Sequence, residues 1–224
     1  RISRVMTEMR ASLRAGQRER EVAADIDWAI RATGFEGPAF ETIVAAGPNT
    51  ALPHARPGAR RLAAGDLVLL DFGGIYHGYC VDLTRVASLG PPDAVAVSWH
   101  RAVKDAYSAA LAVVRPGVSA SAVDTAARSV LEQRGLGDAF GHGTGHGLGI
   151  EVHEAPRVGK RRSPAGSATG GGIDDVLLAP GMVFTVEPGV YLAGHGGVRL
   201  EDDLVVTADG YELLTNVSLD FVVA

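Results

Sequence analysis

Residues 65–73 read GDLVLLDFG, and residues 181–189 read GMVFTVEPG. Each stretch contains a short apolar run bounded by turn-forming residues, which favours a buried strand. In both stretches a carboxylate lies six residues after the first glycine, Asp71 in one and Glu187 in the other, and a glycine follows two residues later. The two stretches therefore predict a pair of related strands, each with an acid at its end.

Each of these strands is followed by a return strand, so we expect one hairpin over residues 67–88 and a second over 182–192 and 197–207. The return strands carry one further acid each, Asp82 and Glu201. A pseudo-twofold relation between the hairpins would bring all four carboxylates to one centre. Buried carboxylates need a compensating positive charge. Two divalent ions would supply it, and carboxylates with one imidazole suit Mn²⁺, Co²⁺ or Zn²⁺.

Helices are expected over residues 2–15, 19–33, 93–114 and 119–134. Ser119 is a candidate N-cap for the last of them. The segment 141–149 has five glycines in nine residues. Because glycine costs roughly 1 kcal/mol per site in a helix interior, we expect a loop or an irregular strand there. Helices combined with antiparallel hairpins indicate the α+β class.

The composition is that of an ordinary globular chain, with 46% hydrophobic and 21% charged residues among 224. It excludes disorder and a low-complexity fibre as readings of the whole chain. The net charge of −5 argues against a nucleic-acid partner. No stretch approaches the roughly 20 apolar residues of a membrane helix, so no membrane partner is expected. The single cysteine, Cys80, excludes an internal disulfide and favours a cytoplasmic location.

Five stretches, taken in chain order, resemble the pita-bread metallopeptidases, specifically the Xaa-Pro aminopeptidase and Xaa-Pro dipeptidase (prolidase) branch. They are NTALPH (49–54), DFGGIYHGYCVDLTR (71–85), HGTGHGLGIEVHEAP (142–156), GMVFTVEPGVY (181–191) and GVRLEDD (197–203). Any one alone is a weak signal, whereas five in the right order are specific. The resemblance implies a pita-bread fold, in which two pseudo-symmetric αβ halves form a curved antiparallel sheet covered by helices. It also implies a single catalytic domain over 1–224, without the N-terminal domain usual in this branch.

The resemblance further implies a role for individual residues. The ligands of two divalent ions, with Mn²⁺ favoured over Co²⁺ and Zn²⁺, would be Asp71, Asp82, His146, Glu187 and Glu201. The catalytic groups would be Glu187 as proton shuttle, His153 at the scissile amide, and His54. The residues that bind substrate would be His54, His142, His153, Tyr191 and Arg199.

The activity implied by the resemblance is hydrolysis of the Xaa-Pro bond at the N-terminus of a peptide or dipeptide. The partner would be a peptide with proline at its second position, and a homodimer is compatible with the resemblance. Two alternatives stay open. A methionine aminopeptidase shares the fold, the ligands and the approximate length. A non-catalytic pita-bread module that binds peptides or proteins shares the fold, although such relatives typically lose ligands.

Residues outside these motifs are expected to have structural or surface roles. The histidines expected at the surface are His77, His100 and His195. Trp28 and Trp99 are expected to pack in helical stripes. The glycine-rich segment 157–175 is expected to form a surface loop near the pocket rim.

Overall fold

The computed structural model describes residues 1–161 and 175–224. Within these ranges the helices are α1 (Ile2–Ser12), α2 (Glu19–Ala32), α3 (Ala94–Val113) and α4 (Ala120–Gln133). The strands are β1 (Gly37–Pro38), β2 (Ile43–Ala46), β3 (Leu67–Tyr76), β4 (Tyr79–Ser88), β5 (Gly145–Gly147), β6 (Glu154–Val158), β7 (Val183–Val186), β8 (Gly189–Leu192), β9 (Gly196–Arg199), β10 (Asp202–Val206), β11 (Tyr211–Leu213) and β12 (Val222–Val223). Short 3₁₀ turns cover Gly47–Ala51 and Gly137–Ala139. None of the helices in the described ranges has the length and apolar character needed to cross a bilayer.

The four predicted helices are confirmed, and side-chain caps explain where two of them begin. The Ser119 hydroxyl accepts a hydrogen bond from the Ala122 amide at 3.2 Å, as expected for the N-cap of α4. Asp93 caps α3 in the same way, because its carboxylate accepts from the Ala96 amide at 2.7 Å. Each cap satisfies an amide that has no partner within its own helix.

β3 and β4 pair antiparallel over their whole length and form the first predicted hairpin. His77 and Gly78 make its turn, with φ values of 51° and 78°. A two-residue turn of this hand matches the twist of the flanking strands. β1 and β2 both pair with β3, and β12 pairs in parallel with β4, which completes the first sheet.

The two faces of this hairpin pack against different partners. Val68, Leu70 and Phe72 share one hydrophobic core with the apolar stripes of α1 and α2. Leu69 lies in a second core, together with α3 and α4. Because successive side chains of a strand point to opposite faces, Asp71 shares the face of Leu69. It therefore points toward the second half of the molecule.

The second half contains an antiparallel sheet with the strand order β11-β10-β7-β5-β6. Phe184, Val186 and Leu204 of this sheet pack with α3 and α4. β7 pairs with β10, and between them β8 pairs with β9 as a separate two-stranded ribbon. The second predicted hairpin is therefore present, divided into two sections where its acids lie.

Two positions of β5 require glycine because neighbouring backbone lies too close to leave room for a side chain. A Cβ atom at Gly145 would lie 1.9 Å from the carbonyl oxygen of Thr185, and one at Gly147 would lie 2.2 Å from that of Ala155. β5 pairs with β6 on one side and β7 on the other, and its register is irregular after His146. The expectation of an irregular strand in this segment is confirmed.

Two predictions about single residues are wrong. His100 is only 7% exposed, because its ring stacks on Phe221 and its Nε2 lies 2.7 Å from the carbonyl oxygen of Leu219. The C-terminal segment thus covers a residue of α3 that was expected at the surface. Trp28 is 73% exposed, since it lies two residues from Ile26 and faces away from the buried stripe of α2.

The loop expected over 157–175 begins later than predicted, because residues 157 and 158 end strand β6. Residues 162–174 lie outside the described residues. Residues 157–160, which precede them, line a cavity between the two hairpins.

Candidate metal centre and active site

Side chains of both hairpins converge on one cavity of about 970 Å³. Its walls include all five predicted metal ligands, which are Asp71, Asp82, His146, Glu187 and Glu201. They also include four of the predicted substrate-binding residues, which are His54, His142, His153 and Arg199. Tyr191 is not among the lining residues, but its hydroxyl is bonded to two of them, His142 and Arg199.

Two of the five candidate ligands flank strand ends, and the other three lie within β3, β4 and β5. The prediction that Asp71 ends its strand is wrong, because β3 continues to Tyr76. Asp82 lies opposite Gly73 in the first hairpin, Glu187 directly follows β7, and Glu201 directly precedes β10. Asp82, His146 and Glu201 each offer a ligand atom within 4.8 Å of the others. The Nε2 atom of His146 also lies 3.5 Å from Oε1 of Glu187.

This concentration of acids has a large electrostatic cost in the metal-free chain. Burial raises the pKa of Asp82 and Glu201 well above the usual carboxyl value, and the neighbouring carboxylates raise it further. Burial also raises the pKa of Glu187 to about 7. Burial lowers the pKa of His146 to about 4, so this imidazole is neutral at neutral pH and free to bind a cation.

The donor set fits a divalent metal. The Oδ1 atoms of Asp71 and Asp82 are buried and have no hydrogen-bond partner among the described residues. Such orphaned acceptors are rare, because burial without a partner costs free energy. Arg199 forms a salt bridge with the other oxygen of Asp71 and compensates one acid of the group. Carboxylates combined with one imidazole suit ions such as Mn²⁺, Co²⁺ or Zn²⁺.

Two threonines, which the sequence reasoning missed, orient the acids. The Thr84 hydroxyl donates to Oε2 of Glu201 and accepts from Nε of Arg199 at 3.2 Å. The Thr185 hydroxyl lies 3.4 Å from Oε1 of Glu187 and accepts from the His146 amide at 3.1 Å. Thr84 lies directly opposite Asp71 in the hairpin register, so strand pairing was the signal that could have identified it.

A chain of hydrogen bonds connects the candidate centre to the pocket wall. Nη1 of Arg199 donates to the Tyr191 hydroxyl at 2.7 Å, and that hydroxyl lies 2.9 Å from Nε2 of His142. Nδ1 of His142 lies 2.7 Å from the carbonyl oxygen of Gly143. Because a guanidinium only donates, the Tyr191 proton is directed to Nε2 of His142. His142 is therefore neutral, with its own proton on Nδ1.

An ion pair on α4 holds the segment 140–144, which carries His142, in place. Asp124 and Arg128 are four residues apart and share two hydrogen bonds, of 3.0 and 2.9 Å. Asp124 also accepts from the amide and the hydroxyl of Thr144, at 3.1 and 2.9 Å. Arg128 donates to the carbonyl oxygens of Phe140 and His142, at 2.9 and 2.8 Å. Sequence reasoning missed this pair, although its spacing of four on a helix was visible.

The two remaining candidate histidines lie at different depths. The His153 ring lies 4.2 Å from the His146 ring, measured between centroids. Burial and then the charge of Arg157 lower the pKa of His153. His54 is exposed, on the segment that follows the 3₁₀ turn Gly47–Ala51.

Comparison with known proteins supplies independent information. The model of metallopeptidase family M24 matches residues 1–208. The Xaa-Pro dipeptidase of Pyrococcus furiosus is 39% identical over 200 residues, which are 89% of this chain and 54% of that protein. The chain spans about half the length of the curated relatives it matches.

Solved structures agree with the curated relatives. The crystal structure of X-Pro aminopeptidase from Thermotoga maritima has a TM-score of 0.91 at 38% identity, over 100% of this chain and 60% of that one. Xaa-Pro dipeptidase from Bacillus anthracis has a TM-score of 0.92 at 35% identity, over 99% of this chain and 59% of that one. Superposition over nearly the whole chain confirms the pita-bread architecture expected from the sequence.

Proposed function

The chain belongs to metallopeptidase family M24, and on that premise we propose that it is a metal-dependent exopeptidase. It hydrolyses the bond between an N-terminal residue and a following proline, in peptides or dipeptides. The observation that carries the proposal is the convergence of four carboxylates and one imidazole on one cavity, because such a cluster destabilises the fold unless cations compensate it. The relatives that bear the names Xaa-Pro dipeptidase and X-Pro aminopeptidase support the choice of substrate.

The cofactor in this proposal is a pair of divalent ions, Mn²⁺ in preference to Co²⁺ or Zn²⁺. The residues that would hold them are Asp71, Asp82, His146, Glu187 and Glu201. When bound, such ions supply a water of lowered pKa and polarise a carbonyl group. The orphaned Oδ1 atoms of Asp71 and Asp82 support this assignment.

Glu187 is the proton carrier in the proposed reaction. Its amide donates to the carbonyl oxygen of Thr144 at 2.7 Å, which anchors the residue at the cavity wall. From this position the carboxylate accepts a proton from the attacking water and delivers it to the leaving nitrogen. Delivery to that nitrogen is the chemical requirement for amide cleavage, because an amide anion is a poor leaving group.

The histidines of the pocket bind and polarise the substrate. His153, whose neutral imidazole lies beside His146, donates a hydrogen bond to the carbonyl oxygen of the scissile bond as negative charge develops there. His54, His142 and Arg199 line the pocket and contact the substrate. Tyr191 acts through His142 and Arg199, to which its hydroxyl is bonded.

We further propose that residues 1–224 act as one catalytic domain in the cytoplasm. The single cysteine supports a reducing compartment. The preferred substrate length is addressed by comparing a dipeptide with a tripeptide.

The test is release of alanine from Ala-Pro and Ala-Pro-Ala after Mn²⁺ loading, with metal content measured on the same sample. Glu187→Gln with its metal retained is expected to lower kcat by about 100-fold or more, because a general acid–base group contributes about that factor. Glu212→Gln, on the exposed strand β11, is the matched control and is expected to match the wild type. Faster cleavage of Met-Ala-Ser than of either proline peptide would favour a methionine aminopeptidase. A chain that neither takes up metal nor cleaves any of these peptides would favour the binding module.

A further inference from the structure

Glu19 is a buried carboxylate that the reaction described above does not use. It is the first residue of α2 and is 1% exposed. Its Oε1 atom accepts from the amide of Ala46 and from the side-chain amide of Asn49, both at 2.9 Å. Its Oε2 atom accepts from the amide of Gly58 at 3.0 Å. These partners are neutral donors rather than a basic side chain.

The donors lie at the two ends of one segment. Ala46 and Asn49 are at the start of the segment 46–58, and Gly58 is at its end. Between them, residues 53–56, which include His54, form part of the cavity wall. One carboxylate therefore connects both ends of the segment that carries a candidate catalytic histidine.

The middle of the segment is held by the second half of the molecule. The amide of Gly197 donates to the Thr50 hydroxyl at 2.8 Å, and Arg199 donates to the carbonyl oxygen of Pro53 at 3.4 Å. The ends depend on α2, where the amide of Arg20 also donates to the carbonyl oxygen of Gly58 at 3.2 Å. The position of His54 thus depends on contacts to both halves.

We propose that Glu19 is a positioning residue, whose two carboxylate oxygens pin the ends of segment 46–58 and so hold His54 at the cavity. This inference rests on the proposed function for its catalytic consequence. Hydrogen bonds to an ionised acceptor are stronger than neutral ones, and a pinned segment has already lost the entropy that a free loop would lose when it orders on substrate. Releasing one end restores that entropy.

The variant that tests this is Glu19→Gln, which keeps the shape of the side chain. An amide group has one acceptor oxygen, and its NH₂ group cannot accept from a backbone amide, so one end of the segment loses its anchor. Glu21→Gln is the matched control, because Glu21 lies on the same helix, is exposed, and bonds locally to Arg18 at 2.8 Å.

Hydrogen exchange measures the pinning without any reference to activity. In Glu19→Gln the amides of residues 46–58 are expected to exchange about tenfold faster or more, because loss of a charge-assisted hydrogen bond shifts a local equilibrium by about that factor. The amides of β3 and all amides of Glu21→Gln are expected to keep their wild-type rates. Unchanged exchange in 46–58, or equally faster exchange throughout the domain, would overturn the proposal.

Kinetics measure the consequence for His54. Glu19→Gln is expected to lower kcat/KM for Ala-Pro about tenfold at unchanged metal content. In a His54→Ala background the same change is expected to cost less than about twofold, because the group it positions is gone. If the double variant instead shows the product of the two single reductions in kcat/KM, Glu19 has a purely structural role. A wild-type chain without peptidase activity would refute the proposed function, while the exchange result would still decide whether Glu19 pins the segment.

Should Glu19→Gln fail to fold, Asn49→Ala removes one donor at the start of the segment and leaves Glu19 in place. It is expected to produce a smaller rise in exchange, confined to the same residues. Wild-type exchange rates in Asn49→Ala would then overturn the proposal.

Discussion

The hydroxyl oxygen of Tyr191 lies 2.9 Å from Nε2 of His142, and it accepts a hydrogen bond from Nη1 of Arg199 on its other side. This arrangement assigns the imidazole proton to Nδ1 and makes His142 an acceptor toward Tyr191. Burial, and then the charge of Arg199, lower the pKa of His142 to about 4. Burial raises the pKa of Tyr191 to about 12, so the phenol keeps its proton.

His142 is therefore predicted to stay neutral throughout the physiological pH range. Because its folded pKa lies below the ordinary value of 6.5, its contribution to stability is complete above pH 6.5 and is lost as the pH falls toward 4. The measurement is an NMR titration of the histidine Cε1 protons in the metal-free chain, assigned with His142→Gln. A midpoint for His142 near 6.5 would contradict the proposed hydrogen-bond order.

The stability of the metal-free chain is predicted to fall as the pH rises from 6.5 to about 8. Burial raises the pKa of Glu187 to about 7 and raises those of Asp82 and Glu201 well above the usual carboxyl value, so the folded chain holds protons that the unfolded chain has lost. The opposing effect of the four histidines whose pKa is lowered by burial fades as the pH rises above 6.5, because the unfolded imidazoles lose their protons over this range; they are His100, His142, His146 and His153. Thermal unfolding is the measurement. Mn²⁺ should remove the fall in Tm, and Glu187→Gln should reduce it; a Tm that rises over this range would refute the prediction.

Thr84→Val is predicted to weaken divalent metal binding about 10- to 100-fold, the usual effect of removing a partner that orients a ligand. The variant keeps the shape of the side chain but loses the hydroxyl that donates to Glu201 and accepts from Arg199. Binding is measured by calorimetric titration with Mn²⁺. Thr84→Ser should retain most of the affinity, and Thr125→Val, at an exposed position of α4, should be neutral. Equal affinities for the valine and serine variants would show that the hydroxyl is irrelevant.

Arg128→Lys is predicted to destabilise the fold by about 1–3 kcal/mol, because a lysine keeps the charge beside Asp124 but cannot also donate to the carbonyl oxygens of Phe140 and His142. The free energy of unfolding is measured in urea. Arg134→Lys is the matched control: its ion pair with Asp105 is exposed, so the expected cost is about 0–1 kcal/mol. If the two variants lose similar amounts of unfolding free energy, Arg128 does not hold the 140–144 segment as described.

Gly145→Ala is predicted to destabilise the chain by at least about 1–3 kcal/mol, the usual cost of overpacking. The added methyl group would meet the backbone of Thr185 rather than a movable side chain. Gly141→Ala is the control, because a Cβ atom there meets nothing within 4 Å. If both variants unfold at the same urea concentration, β5 does not pack as closely as described.

The elements of this fold could be predicted because their signals are local. The stripe of α2, the cap at Ser119 and the apolar run before Asp71 each involve residues within a few positions of one another. Trp28 shows the limit of such local signals, because it lies on the helix but on the face opposite the buried stripe of α2. His100 shows a second limit, since its burial depends on Leu219 and Phe221, more than a hundred positions away in the chain.

The sequence by itself determined that two related hairpins carry two acids each, and hence that these acids need a compensating positive charge. Only the tertiary structure decided what holds the site residues in place. Thr84 bonds to Glu201, and Asp124 and Arg128 bond to Thr144 and His142. Glu19 bonds to both ends of the segment that carries His54. The physical reason is the range of the interactions. Strand alternation and helix capping act between near neighbours, whereas these hydrogen bonds join residues that become neighbours only when the two halves and their helices pack together.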